Sequence, residues 1–192
     1  MLVPKLSFLF LFLLHFYFTT ITASHIPVLD NIAISSGSSG VLAASNGRVW
    51  VGDTGSKSST LLQLSGKSTK SRVIHHPAAS VDAVPCLTAR ISHHHFTYTF
   101  PVKPGQKIIR LHFNPVSYKN FKKSRALFSV KAGPYTLLSN FNGSLAAGAS
   151  GAGHFTREFC VNIEEDELLS ITFSPRSEER REGKSVDLGG RR

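Results

Sequence analysis

The chain has 192 residues, with 22 Lys and Arg against 12 Asp and Glu and a formal net charge of +10. That length suits one domain of ordinary size with a core of its own. The charge is concentrated: residues 67–131 hold twelve Lys and Arg against one acid, Asp82, a net +11. A field of that sign selects acidic partners and speaks to association rather than to fold. The chain carries no recognisable nucleic-acid module, which points away from nucleic acid and toward acidic polysaccharide or an anionic surface.

Lys5 gives a short positive start, Leu6 to Phe18 is almost wholly apolar, and small residues follow at Thr22, Ala23 and Ser24. That order predicts a secretory signal peptide over residues 1–24. A membrane-spanning helix needs about 20 apolar residues, and neither this run nor a later one is long enough. The chain is therefore expected to be secreted, into a compartment where Cys86 and Cys160 can form a disulfide.

Ile26 to Ile34 predicts a first strand, ending in a Ser/Gly-rich turn from Ser35 to Gly40. Asn46-Gly47 is a hairpin signal that leads into Arg48 to Val51. Trp50, the single tryptophan, reads as a core aromatic or as a sugar-stacking platform on the sheet rim. Its flanking valines favour the core. Ser56 to Ser71 reads as a surface loop around Leu61 to Leu64, followed by strand-like segments at Val73-Ile74 and Val84 to Ile91. Arg90 reads either as a ligand for a bound carboxylate or as half of a buried ion pair.

His75-His76 and His93-His94-His95 come next. Adjacent side chains on a strand face opposite ways, and no Cys, Asp or Glu stands nearby at zinc-ligand spacing. These histidines read as positive charge that rises with acidity, because an ordinary histidine titrates near pH ~6.5. No metal or cofactor is expected.

Phe96, Tyr98 and Phe100 alternate with Thr97 and Thr99, and Ile109, Leu111 and Phe113 alternate with Ile108, Arg110 and His112. Each run reads as a half-buried strand. Pro104 and Gly105 supply turn chemistry between them, so a central β-hairpin is predicted. Ser117 to Arg125 then carries Lys119, Lys122, Lys123 and Arg125, with Tyr118 and Phe121 among the charges. It reads as a solvated loop or as a sugar-acid site, where cations pair with uronate carboxylates and aromatics stack on sugar faces.

Ala126 to Ala132 predicts a strand, and Gly133-Pro134 turns the chain into Tyr135 to Leu138. Asn142-Gly143-Ser144 is an N-glycosylation sequon, and the small-residue run from Ser144 to Gly153 reads as a flexible loop. Phe155 to Ile163 and Leu168 to Ser174 alternate again, with the acidic stretch Glu164 to Glu167 at a hairpin turn between them. A calcium site and a merely solvated turn are the two readings there, the second favoured. Residues 176–192 contain ten charged positions and read as a disordered tail.

Short strands with Gly and Pro punctuation predict an all-β fold, an antiparallel β-sandwich or jelly roll. Asp30, Asp53 and Asp82 sit in turn-like contexts, and neither a nucleophile elbow nor a carboxylate pair on adjacent strands is present. An enzyme is therefore not expected, and a binding module is.

Several ordered stretches resemble the malectin-like ectodomain of plant receptor-like kinases of the Catharanthus roseus type. They are Gly47 to Asp53, Thr88 to Ile91, Phe96 to Gly105 with Arg110 to Phe113, Phe128 to Val130, Gly133 to Leu138, Glu158 to Asn162 and Ile171 to Pro175. The resemblance covers residues 27–175 and implies a malectin-like domain over 25–175, a receptor-kinase-type sensor of cell-wall pectin or small secreted peptides, and a co-receptor. The family's kinase motifs are absent, and a further strand that would complete its fold is not recognisable. Ser36 stands where the family usually carries a cysteine, and Cys86 where an aromatic is commoner. The resemblance implies cationic peptide ligands, so the basic segment favours demethylesterified pectin. A secreted decoy or defective paralogue without ligand is the alternative.

Overall fold

The computed structural model describes residues 31–55, 62–72, 84–116, 127–151, 153–165 and 168–176. The stretch expected to be a leader, His75-His76, the basic stretch with Tyr118, Lys119, Phe121, Lys122, Lys123 and Arg125, and the residues beyond Arg176 lie outside them.

Twelve strands and one helix make up the described fold. In chain order they are β1 (Ile34–Ser39), β2 (Val41–Ala43), β3 (Val49–Thr54), β4 (Gln63–Gly66), β5 (Thr69–Arg72), β6 (Thr88–Ile91), β7 (Phe96–Phe100), β8 (Gly105–Phe113), β9 (Leu127–Ala132), β10 (Tyr135–Asn142), α1 (Gly143–Ser150), β11 (Phe155–Ile163) and β12 (Leu169–Pro175). The main sheet runs β10-β9-β12-β7-β4 and is antiparallel throughout. β11 pairs with β8 along its whole length to form a ribbon. A third sheet, β1-β3-β2, has β1 parallel to β3, and β5 pairs with β6.

The main sheet and the ribbon close on one core. Phe96, Tyr98 and Phe100 from β7, Val130 and Ala132 from β9, and Leu169 and Ile171 from β12 meet Ile109 of β8 and Val161 and Ile163 of β11. Strand alternation selects them: in β7 the aromatics at 96, 98 and 100 are buried and Thr97 and Thr99 are not. Burying one such side chain is worth about 1.5–3 kcal/mol. Phe113, Phe128, Phe141 and Phe155 form a second aromatic contact across the layers, with ring centroids 5.3–6.0 Å apart. The all-β antiparallel sandwich expected from the sequence is the fold observed.

The predicted central hairpin is not observed. β7 pairs with β12 and β4, while β8 pairs with β11, so Pro101–Pro104 carries the chain from one layer to the other. The hairpin expected around Glu164 to Glu167 is not observed either, since β11 pairs with β8 and β12 with β7 and β9. The supposed turn Ser35–Gly40 is largely β1, whose small residues let it pack against β6. Gly37 has φ +80°, and a Cβ there would stand 2.5 Å from the Ala89 carbonyl oxygen. The loop expected over Ser56 to Ser71 contains β4 and all but the last residue of β5. Ser144 to Gly153 is largely helical: Asn142 caps α1 by accepting from the Leu145 amide at 3.0 Å, and Gly151 closes it with φ 65°. His93-His94-His95 occupies the bend between β6 and β7, not a strand.

Cys86 and Cys160 form no disulfide. Cys160 lies on the outward face of β11, between the inward-facing Phe159 and Val161, whereas Cys86 is buried at 3% exposure in a single 3-10 turn. Asp53 also departs from expectation, since it sits on β3 with a side chain wholly removed from water. It accepts from Arg90 Nε at 2.5 Å and Nη2 at 3.1 Å, from Tyr98 Oη at 2.5 Å and from the Gly37 amide at 2.7 Å. Arg90 is thus half of a buried ion pair. A carboxylate taken out of water is tolerable when charge and hydrogen bonds replace its hydration. Four donors from β1, β6 and β7 do that here.

Asp53→Ala should destabilise the fold by about 3–5 kcal/mol in chemical denaturation, because Arg90 is left buried and uncompensated. Burial, then the neighbouring Asp53 carboxylate, hold the Tyr98 phenol well above its ordinary range. The unfolded chain releases that proton near pH ~10 and the folded chain keeps it, so this group's stabilisation is lost as pH rises past ~10. Tyr98→Phe should flatten that part of the alkaline slope in a pH series of denaturation curves. Under native conditions a thiol reagent should label Cys160 alone, with Cys86 reacting only on unfolding; labelling of neither before reduction would contradict the structure.

Candidate functional site

A cleft of about 1040 Å³ opens between β3, β6 and β8 and reaches the core. Its floor is apolar, with the buried Phe96, Tyr98, Ile109 and Ile171 among the residues that line it. Arg48, Arg90, Lys107, Arg110 and Arg176 also line it, and no Asp or Glu does among the described residues. Arg90 is answered by Asp53, and Arg110 by Glu158 across the β8–β11 pair, but neither acid faces the cleft. Arg48 and Arg176 make no ion pair among the described residues. Such a cavity, apolar below and cationic at its margin, suits an anionic ligand with an apolar face.

Trp50 sits in the wall of this cleft at 5% exposure, which bears out the core reading of that residue. It also touches charge. The Arg48 guanidinium carbon lies 5.3 Å from the indole centroid, and His112 meets the ring edge-on at 5.4 Å. His112 in turn lies 3.3 Å from Thr156 Oγ1. The alternation of β8 places His112 beside Trp50, and the tight Ala44–Arg48 turn fixes the Arg48 backbone, with Ala44 and Arg48 hydrogen-bonded at 2.9 Å.

Two donors in this cluster are unanswered. Trp50 Nε1 and Arg48 Nε are both buried and have no hydrogen-bond partner among the described residues. An unmade buried hydrogen bond costs about 1–3 kcal/mol, so such groups ask for an explanation. Sequence reasoning singled out Trp50 but missed Arg48, and nothing in the local pattern signals that the two would face one cleft with His112. The nominated Tyr118, Lys119, Phe121, Lys122, Lys123 and Arg125 lie outside the described residues, so the structure does not place them. No group of three or more His, Cys, Asp or Glu able to hold a metal occurs among the described residues. No helix there is long and apolar enough to cross a membrane.

The malectin domain family matches residues 30–182. The chain is 38% identical over 174 residues to the receptor-like protein kinase FERONIA of Arabidopsis thaliana, covering 90% of this chain and 19% of that protein. It is 33% identical over 178 residues to ANXUR2 of the same plant, covering 89% of this chain and 19% of that one. The crystal structure of the plant receptor-like kinase FER superposes with a TM-score of 0.66 at 36% identity, over 77% of this chain and 37% of that one. The ANX1 ectodomain of Arabidopsis thaliana gives 0.69 at 28%, over 77% and 37%. The chain thus spans about a fifth of the length of the receptor kinases it matches, and the match lies in their ectodomain, a non-catalytic binding module, and not in the kinase. The chain belongs to the malectin domain family, in its malectin-like form found in the ectodomains of plant receptor-like kinases.

Proposed function

We propose that this chain is an extracellular, receptor-kinase-type binding module for acidic cell-wall carbohydrate, demethylesterified pectin being the ligand whose chemistry fits. The observation that supports this best is the cleft: five Lys and Arg and no acid among its described lining residues, over an apolar floor. A polyuronate brings the matching parts, a carboxylate on each sugar and an apolar sugar face. The net +11 of residues 67–131 adds a field that would draw such a polymer in. Lys119, Lys122, Lys123 and Arg125, with Tyr118 and Phe121, would by their chemistry supply further cations and stacking rings.

In this reading residues 1–24 are a secretory leader, 25–175 the binding domain and 176–192 a charged tail, with the product in the cell wall. Asn142 would carry a glycan. Its cap bond to Leu145 uses the side-chain oxygen, which leaves to the glycan the amide nitrogen through which it attaches. A second reading, a secreted peptide ligand held with a co-receptor, is favoured by one solved structure. The chain is similar to FER in the crystal structure of plant peptide RALF23 in complex with FER and LLG2, at 36% identity and a TM-score of 0.63. A decoy or defective paralogue without ligand remains the alternative to both.

Polygalacturonate should retain the purified chain at low salt and release it steeply as ionic strength rises toward ~0.5 M, where the screening length falls to a few ångström. Gln at positions 119, 122, 123 and 125 together should weaken that retention by about tenfold at low salt. Absent binding would refute the carbohydrate reading, and so would binding indifferent to salt. Glycosidase treatment of the secreted chain should remove one glycan, and Asn142→Gln should abolish that mass shift.

A further inference from the structure

Trp50 and Arg48 both line the cleft, and each carries a buried donor-only nitrogen that has no acceptor among the described residues. Their surroundings cannot supply one from an acid, since no Asp or Glu lines the cleft among the described residues. The Arg48 guanidinium packs over the indole face and His112 meets the ring at a steep angle, so the missing acceptor would sit beside the Arg48 charge. Negative charge is therefore favoured there, and the planar guanidinium is matched geometrically to a carboxylate.

We propose that Arg48 and Trp50 form a carboxylate subsite, in which one sugar-acid carboxylate accepts from the indole Nε1–H and from the Arg48 guanidinium. This deepens the pectin reading and rests on it. Both nitrogens are shielded from water in the structure. Arg48 is placed to act as the cover: its guanidinium carbon lies 5.3 Å from the indole centroid, its side chain makes no ion pair among the described residues, and its backbone is held by the Asn46 side chain at 2.9 Å and by the turn. Swinging that flexible stem outward uncovers the indole nitrogen and turns the guanidinium toward the ligand. The subsite thus opens as it is occupied, and a donor that is orphaned without ligand becomes satisfied with it.

The chain carries its own reporter, since Trp50 is its only tryptophan. Titration of the purified chain with a short oligogalacturonate should change Trp50 emission, and its methyl ester should bind about tenfold more weakly or worse. Trp50→Phe keeps an aromatic ring, though a smaller one, and deletes the N–H; Arg48→Gln deletes the guanidinium. Each should weaken oligogalacturonate binding by about tenfold in calorimetry, with far-ultraviolet circular dichroism showing both variants folded like the parent. Oligogalacturonate binding with unaltered Trp50 emission and parental affinity in both variants would overturn the subsite and leave the pectin reading standing. Equal binding of the methyl ester would overturn the carboxylate assignment. No binding of either sugar would overturn both.

Discussion

A carboxylate with no access to water organises this sandwich. Asp53 lies at the meeting point of β1, β3, β6 and β7, and it is held by a guanidinium, a phenol and a backbone amide. Charged groups are seldom buried without partners, and a partner lost from such a cluster typically costs more than an ordinary core methylene. The consequence is positional. Gly37 must bring its amide to the carboxylate, which demands the positive φ and close approach to β6 that only glycine tolerates there. Arg90 and Tyr98 are fixed in turn, and both line the cleft. The interaction that holds the third sheet to the main sheet therefore also shapes one wall of the candidate site.

The opposite wall depends on a different constraint. β8 reaches the cleft only because β7 and β8 belong to different layers, joined by the Pro101–Pro104 corner. Full-length pairing with β11 keeps β8 straight enough to present Arg110 and His112 on one face while Ile109 enters the core. Ile108, on the outward face, is 75% exposed, so this face carries apolar area as well as charge. A site between two walls, each anchored separately, can be rigid in backbone while the long Arg48 side chain moves. That combination suits recognition of a repeating polymer, where the main affinity comes from charge and the register from a few fixed donors.

Much of the fold was legible in the residues. Alternation in Phe96 to Phe100 and in Ile171 to Phe173 marked strands, and Asn46-Gly47 marked the β2–β3 turn, because side-chain period and turn chemistry are local. Partner choice is not local, and that is where expectation failed: the strands flanking Pro104 are consecutive, but each pairs elsewhere. Small residues misled in both directions. Ser35 to Ser39 looked like a turn and is a strand whose neighbours need the space, while Ser144 to Ser150 looked like a loop and is a helix whose alanines favour it once Asn142 caps it. Asp53 gave no warning of burial, since one acid beside a glycine reads as a turn until Arg90 and Tyr98 arrive from 37 and 45 residues away. The candidate site was half visible. Trp50 stood out by rarity, but its pairing with Arg48 and His112 is a tertiary fact.

The central claim is that an acidic sugar enters the acid-free cleft and meets Arg48 and Trp50. A crystal structure of the chain with a short oligogalacturonate tests it most directly. The account predicts ligand density in the cleft between β3 and β8, with one carboxylate within hydrogen-bond distance of Trp50 Nε1 and the Arg48 guanidinium. Density confined to other surfaces, with the Arg48 side chain still stacked on the indole, would contradict it.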